Sequence, residues 1–214
     1  MTSSRPVGRP KVQPDADNSV RNLLISVALE LFASRTYSQV STREIAEKAG
    51  SNIGMIRYYF GNKAGLFEAC IAEFYRPIVA VLQQMEQEES TDIEKMILCY
   101  YELLAEHPNW PRMLITSMQL DSGTEQRAAL ERVIRKLREL IVKVVSREGA
   151  LQPECNPRFA STSILSIILF PFLMPDALRK QNGLLLDSET LSQLAAHNAQ
   201  VLRHGLLAGN RNER

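Results

Sequence analysis

The sequence predicts an all-α fold of about nine helices, and three observations lead there. Apolar residues recur at spacings of three and four along most of the 214-residue chain, the period that lines one face of a helix. Ser, Thr or Asn precede several of these stripes, and Gly or Pro stand between them, which are the start and stop signals of helices. No segment alternates apolar and polar residues as a half-buried strand does, and no Gly-rich phosphate loop or internal repeat occurs.

Residues 1–18 are rich in Pro, Ser, Asp and basic residues without periodicity, and form an expected flexible arm. The first stripe is Val20, Leu23, Leu24, Val27, Ala28, Leu31 and Phe32, with Asn18 or Ser19 as its cap. A short second helix opens at Ser41, where Glu44 three residues on completes a capping box, and stops near Gly50. Asn52 caps a third helix that runs to about Phe60. Gly61-Asn62 interrupts, and one long helix follows from about Lys63 to Glu88, bent at Pro77, which has no N–H for the carbonyl of Glu73. Thr91 and Glu94 make a second capping box ahead of Ile93, Met96, Ile97, Tyr100, Leu103 and Leu104. Pro108 and Pro111 bracket a turn into a short helix with Trp110, Met113, Leu114 and Met118. From about Glu125 to Arg147 an apolar stripe faces a side bearing Arg127, Arg132, Arg135, Arg138 and Glu131. Asn156-Pro157 is a cap followed by Pro at the first helical position. The helix it starts is apolar on nearly every face through Phe170, and a last one spans about Ser188 to Leu207.

Composition narrows the function classes. At 45% apolar and 23% charged residues, the chain can pack a core, which excludes global disorder and a disulfide scaffold. The formal net charge is only +1, but it is unevenly spread. Residues 1–63 carry nine basic and five acidic side chains, and the remainder carries 16 and 19. A basic head on a mildly acidic body points to a polyanion at one end. Cys70, Cys99 and Cys155 form no C-x-x-C pair and suit a reducing compartment. No secretory signal is present, and the longest apolar stretch, Ile164 to Met174, falls short of the ~20 residues that span a bilayer. A cytoplasmic chain without a membrane partner is expected. His107, His197 and His204 lack chelating spacing, so no metal is expected. No catalytic grouping or cofactor motif stands out.

Residues 41–67 hold the most specific signal. Two short helices joined through Ala49-Gly50-Ser51-Asn52 have helix-turn-helix spacing, in which the second helix enters the major groove. The string Ser41-Thr42-Arg43-Glu44-Ile45-Ala46-Glu47-Lys48-Ala49-Gly50, then Gly54-Met55-Ile56-Arg57-Tyr58-Tyr59-Phe60-Gly61-Asn62-Lys63 and Leu66-Phe67, closely resembles the DNA-binding domain of TetR-family transcriptional regulators. That family's pattern is roughly T-x-R-x-I-A-x-x-A-G-V-S-x-G-T-x-Y-x-Y-F-x-x-K-x-x-L. The resemblance covers about residues 20–68. Ser51-Asn52 stand where the family usually has Val-Ser, Met55 where Thr or Ala is common, and Arg57 in place of a frequent Tyr. These departures bear on which sequence is read.

The resemblance and the side-chain chemistry together imply roles. Ser41, Thr42, Arg43, Tyr59 and Lys63 are expected on DNA phosphates. Asn52, Ile53, Met55, Arg57 and Tyr58 are expected at base edges, where a guanidinium pairs with guanine and an apolar tip meets a thymine methyl. Arg5, Arg9 and Lys11 surround a Gly-Arg-Pro core that suits a narrow minor groove, the alternative being a solubilising tail.

The implied organisation is a basic arm (1–18), a helix-turn-helix domain (19–66) and a helical effector-binding and dimerisation domain (67–214). Phe74, Met96, Tyr100, Leu103, Trp110, Met113 and Met118 form a soft set that either fills an ordinary core or lines an apolar pocket. The residues alone do not choose; the resemblance favours the pocket, with Tyr100, Glu102 or His107 meeting the effector's polar groups. Phe159, Ile164, Ile167, Leu191, Leu194 and Val201 are the expected homodimer interface. The expected function is a dimeric regulator, more often a repressor, released from a palindromic duplex operator by a small apolar effector. The alternatives are an effector-independent regulator or adaptor acting through protein partners, and a helical enzyme.

Overall fold

The computed structural model describes residues 14–88, 92–119, 124–145 and 151–206. These form eleven α-helices and one 3-10 turn. The head comprises α1 (Pro14–Ser34), the turn at Tyr37–Gln39, α2 (Thr42–Lys48) and α3 (Ile53–Phe60), closed by α4 (Lys63–Phe74). The body comprises α5 (Arg76–Gln87), α6 (Ile93–Glu106), α7 (Trp110–Met118), α8 (Glu125–Val145), α9 (Pro157–Leu173), α10 (Asp176–Gln181) and α11 (Ser188–Gly205). Among the described residues no strand is present, and no helix is long and apolar enough to cross a membrane.

Short polar side chains start the small helices. The hydroxyl of Ser41 accepts from the Glu44 N–H at 3.1 Å, and the Asn52 carbonyl oxygen accepts from the Met55 N–H at 3.2 Å. Asn62 does the same for Gly65 at 2.8 Å. Each satisfies a donor that the first helical turn leaves without a partner. Gly50 (φ 58°) and Gly61 (φ 77°) take the left-handed conformation that reverses the chain after α2 and α3. The α3–α4 corner is tighter still. A β-carbon on Gly65 would lie 2.0 Å from the Phe60 carbonyl oxygen, so only glycine fits there.

One apolar core runs from Leu24 in α1 to Leu202 in α11. α4 carries it between head and body: Leu66, Phe67, Cys70, Ile71 and Phe74 are all buried. On the head side, Phe67 meets Phe32 and Tyr37 edge-on at 5.0 and 5.1 Å. On the body side, α4 lies along α8. The far side is tied through Tyr101 of α6. Its hydroxyl donates to the Ile167 carbonyl at 3.3 Å and accepts from Asn198 Nδ2 at 2.6 Å. That carbonyl has lost its helical partner, because the residue four positions on is Pro171.

Several expectations are corrected. α1 starts at Pro14, not after residue 18, because proline suits the first turn of a helix. The long helix from Lys63 to Glu88 is two helices: α4 ends at Phe74, Tyr75 forms a turn, and Pro77 sits in the first turn of α5. Glu44 does not complete a capping box; its carboxylate binds Arg35 at 2.7 Å and Lys48 at 3.6 Å. α6 is capped by Asp92, whose carboxylate accepts from the Lys95 N–H at 3.1 Å, while Thr91 lies outside the described residues. The short α10 was not expected. The all-α fold of about nine helices holds, and with the divided long helix and α10 the described residues form eleven.

Gly65→Ala is expected to destabilise the whole chain by about 1–3 kcal/mol, the range for forcing atoms into a packed site. A lower urea midpoint with an unchanged denaturant slope checks this.

Candidate nucleic-acid interface and helical body

α3 has two unlike faces. Ile56 is buried, and Met55, Tyr59 and Phe60 pack half-buried against the core. Arg57 is exposed, Tyr58 is 71% exposed and Ile53 is 45% exposed. An aromatic ring and an isoleucine left this open on a well-held helix form an unusual outward surface. Asn52 keeps its Nδ2 donors free of the cap that its Oδ1 forms. Four of the five expected base-reading residues therefore share one open end of the helix. Met55 differs: its side chain turns into the core.

The expected phosphate set is more divided. Arg43 is exposed and pairs with Glu47 at 2.9 Å, one turn along α2, and that carboxylate holds its guanidinium pKa above the ordinary value. Such a surface pair is weak and exchangeable. Ser41 is exposed beside it, with its hydroxyl serving as the α2 cap, and Thr42 is half-buried. Tyr59 is half-buried, its ring 4.9 Å from that of Tyr58. Lys63 departs most from expectation. Its ammonium donates to the Tyr37 carbonyl and lies 4.1 Å from the centre of the Tyr37 ring, and burial lowers its pKa. Tyr37 itself is pushed up to about 12 by burial and by the nearby Glu125 carboxylate. Arg5, Arg9 and Lys11 lie outside the described residues.

Arg35 is a residue that sequence reasoning missed. It follows the last residue of α1 and grips Glu44 of α2, drawing that carboxyl below its usual range and tying α1 to α2. The available signal was a cation just past a helix end, nine residues from a carboxylate.

Phe74, at the end of α4, and Met96, Tyr100 and Trp110 of the body are all buried in the common core, with Phe74 stacked on Trp110 at 4.5 Å. Leu103 and Met113 are half-buried at the edge. Met118 is 42% exposed at the end of α7, so it lies outside this group. Glu102 and His107 are exposed, whereas Tyr100 is enclosed and its hydroxyl has no hydrogen-bond partner among the described residues. Burial pushes the Tyr100 phenol well above its ordinary pKa, with Tyr75 and Cys99 adding to the effect.

The expected dimer face is also redrawn. Ile164 and Leu191 are buried within the single chain, because the inner faces of α9 and α11 pack on α6. Ile167 and Leu194 are half-buried; Phe159 and Val201 are 73% and 48% exposed. Phe170, not among the expected residues, is 57% exposed. Phe159, Ser163, Ser166 and Phe170 follow helical spacing and form one outward stripe on α9.

Residues 24–70 match the family model for bacterial regulatory proteins of the tetR family. The head, α1 to α4, is a TetR-family DNA-binding domain. The match spans α1 to α4, the elements that present Arg57 and Tyr58. Bacillus subtilis YttP, a probable HTH-type transcriptional regulator, is 28% identical over 166 residues, covering 73% of this chain and 79% of that protein. The crystal structure of NalD, the secondary repressor of the MexAB-OprM multidrug efflux pump in Pseudomonas aeruginosa, superposes with a TM-score of 0.63 at 25% identity, covering 94% of this chain and 100% of NalD. FadR from Bacillus subtilis in complex with stearoyl-CoA shares the fold, with a TM-score of 0.61 at 20% identity over 85% of this chain and 96% of FadR. Among the described residues, no three His, Cys, Asp or Glu side chains gather at a metal-sized site.

The placement of the two basic residues separates their roles. Lys63→Gln is expected to lower stability by about 1 kcal/mol or more, since it removes a charged donor from a half-buried carbonyl. Arg43→Gln is expected to stay within about 0.5 kcal/mol of the parent. Thermal unfolding of both variants without DNA distinguishes them.

Proposed function

We propose that this regulator is a cytoplasmic, dimeric repressor that binds an inverted-repeat duplex operator and is released by a small, mainly apolar effector. The carrying observation is α3, whose inner face is locked by Ile56 and whose outer end offers Asn52, Ile53, Arg57 and Tyr58. An exposed guanidinium and phenol on a rigid helix suit base-edge contacts, while Arg43 and the Ser41 hydroxyl suit the flanking phosphates. The similarity to NalD, a secondary repressor, and to YttP, a probable transcriptional regulator, supports the same reading.

The direct experiment isolates the fragments of the source genome that the protein retains and measures duplex affinity against salt. Affinity is expected to fall by orders of magnitude between about 50 and 200 mM salt as counterions are released. Arg43→Ala is expected to weaken all duplexes alike, and Arg57→Ala to relax preference at one or two positions by about 1–3 kcal/mol each. Equal loss on all sequences from Arg57→Ala would contradict base reading.

Dimerisation rests on α9. Two large exposed Phe residues flank Ser163 and Ser166, a profile in which the same stripe from a second copy can interlock about a two-fold axis. Val201 on α11 extends the apolar surface. The double variant Phe159→Glu with Phe170→Glu is expected to be monomeric by light scattering and to lose affinity for the paired half-sites. A monomeric parent protein that still holds the inverted repeat tightly would overturn this.

The effector reading rests on Tyr100. A buried hydroxyl without a partner costs about 1–3 kcal/mol, and a ligand carbonyl or hydroxyl among Phe74, Met96 and Trp110 would recover it. Tyr100→Phe is therefore expected to match or exceed the parent in ligand-free stability, yet to require a higher concentration of any releasing compound. Unchanged release in Tyr100→Phe would place the effector elsewhere.

A further inference from the structure

We propose that the groove along the seam between head and body binds an elongated apolar molecule ending in one anionic group. This goes beyond the effector reading, since the groove is separate from the enclosed Tyr100 core. It runs beside α4, bounded by α1, the end of α3, α5 and α8, with a volume of about 690 Å³, well inside the ~300–1,000 Å³ range of small-molecule sites. Ile25, Phe60, Ala69, Val79, Val133 and Leu137 give it apolar walls. Tyr75, from the turn between α4 and α5, also lines it.

The charges in the groove select the ligand. Its two carboxylates are already matched: Glu73 binds Arg76 at 2.9 Å, and Glu68 binds Arg132 at 2.6 Å. Arg21 and Lys136 also line the groove, and neither has a carboxylate partner among the described residues. The Arg21 guanidinium rests 5.5 Å from the centre of the Phe60 ring, with its charge unneutralised. The unmatched charge beside the apolar walls is therefore positive on both α1 and α8. A carboxylate, sulfonate or phosphate would complete it, and an attached chain or ring system would cover the walls. Such an occupant touches Tyr59 and Phe60 of the recognition helix and α8 of the body at once. Its binding is thus placed to alter how the head sits on the body.

Calorimetric titration of the full chain without DNA tests the site, with decanoate, decan-1-ol and decyltrimethylammonium as probes. Decanoate is expected to bind once per chain, decan-1-ol about tenfold more weakly, and the cation not at all. Lys136→Gln is expected to weaken decanoate about tenfold and Lys136→Arg to retain it. Ala72→Trp, which fills the groove from the exposed side of α4, is expected to abolish binding. Both positions are exposed, so both variants should keep the parent's circular dichroism and melting. Tyr100→Phe is expected to leave decanoate binding unchanged. Absence of decanoate binding, equal binding of all three probes, or binding indifferent to Lys136→Gln and Ala72→Trp would overturn the proposal. Loss of decanoate binding in Tyr100→Phe would assign the ligand to the enclosed core and overturn it equally.

Discussion

The packing of α4 is the constraint on which the rest depends. Its first turn is pressed against the end of the recognition helix, with Gly65 under the Phe60 carbonyl, and its buried residues continue the core into the body. Each large apolar side chain buried here is worth about 1.5–3 kcal/mol. The polar ties along the same helix, Asn62 to Glu125 at 3.3 Å and Glu68 to Arg132 at 2.6 Å, are partly exposed and contribute far less. Packing therefore holds α4 between the two regions, and the polar ties fix its rotation against α8. A movement of α8 reaches α3 through one helix.

The head shows how a small unit can hold an outward-facing helix surface rigid. Aromatic contacts among Phe32, Tyr37 and Phe67 anchor its centre, and the Lys63 ammonium caps the Tyr37 turn. Arg35 pins α2 to the end of α1. These interactions turn two cations, Lys63 and Arg35, inward or along the surface. The outward positive charge near α3 is then carried by Arg43 and Arg57. The net positive charge of the first 63 residues thus divides into a structural share and a share available to a polyanion.

What was legible in the sequence was local. Ser41, Asn52 and Asn156 cap helices because a short side-chain acceptor needs only its own next turn to act. The 41–67 string was legible for the same reason, being contiguous. The missed features depend on partners distant along the chain. Lys63 turns inward because Tyr37, 26 residues earlier, offers a carbonyl. Ile164 and Leu191 sit inside because α6 covers them, a fact no stripe on α9 or α11 encodes. Pro77 falls in the first turn of a new helix because Tyr75, two residues earlier, takes a turn conformation, whereas local rules allow either a bend or a break. Glu44 had two uses within reach, and a guanidinium outcompeted a backbone amide for it.

Hydrogen–deuterium exchange of the full chain, with and without a duplex fragment it retains, tests the central claim most directly. The account predicts slowed exchange in residues 41–63, strongest at the amides of α2 and the first turn of α3, with α8 unchanged on its solvent face. Protection centred on α8 around Arg127, Arg135 and Arg138, with residues 41–63 exchanging as they do without DNA, would contradict it.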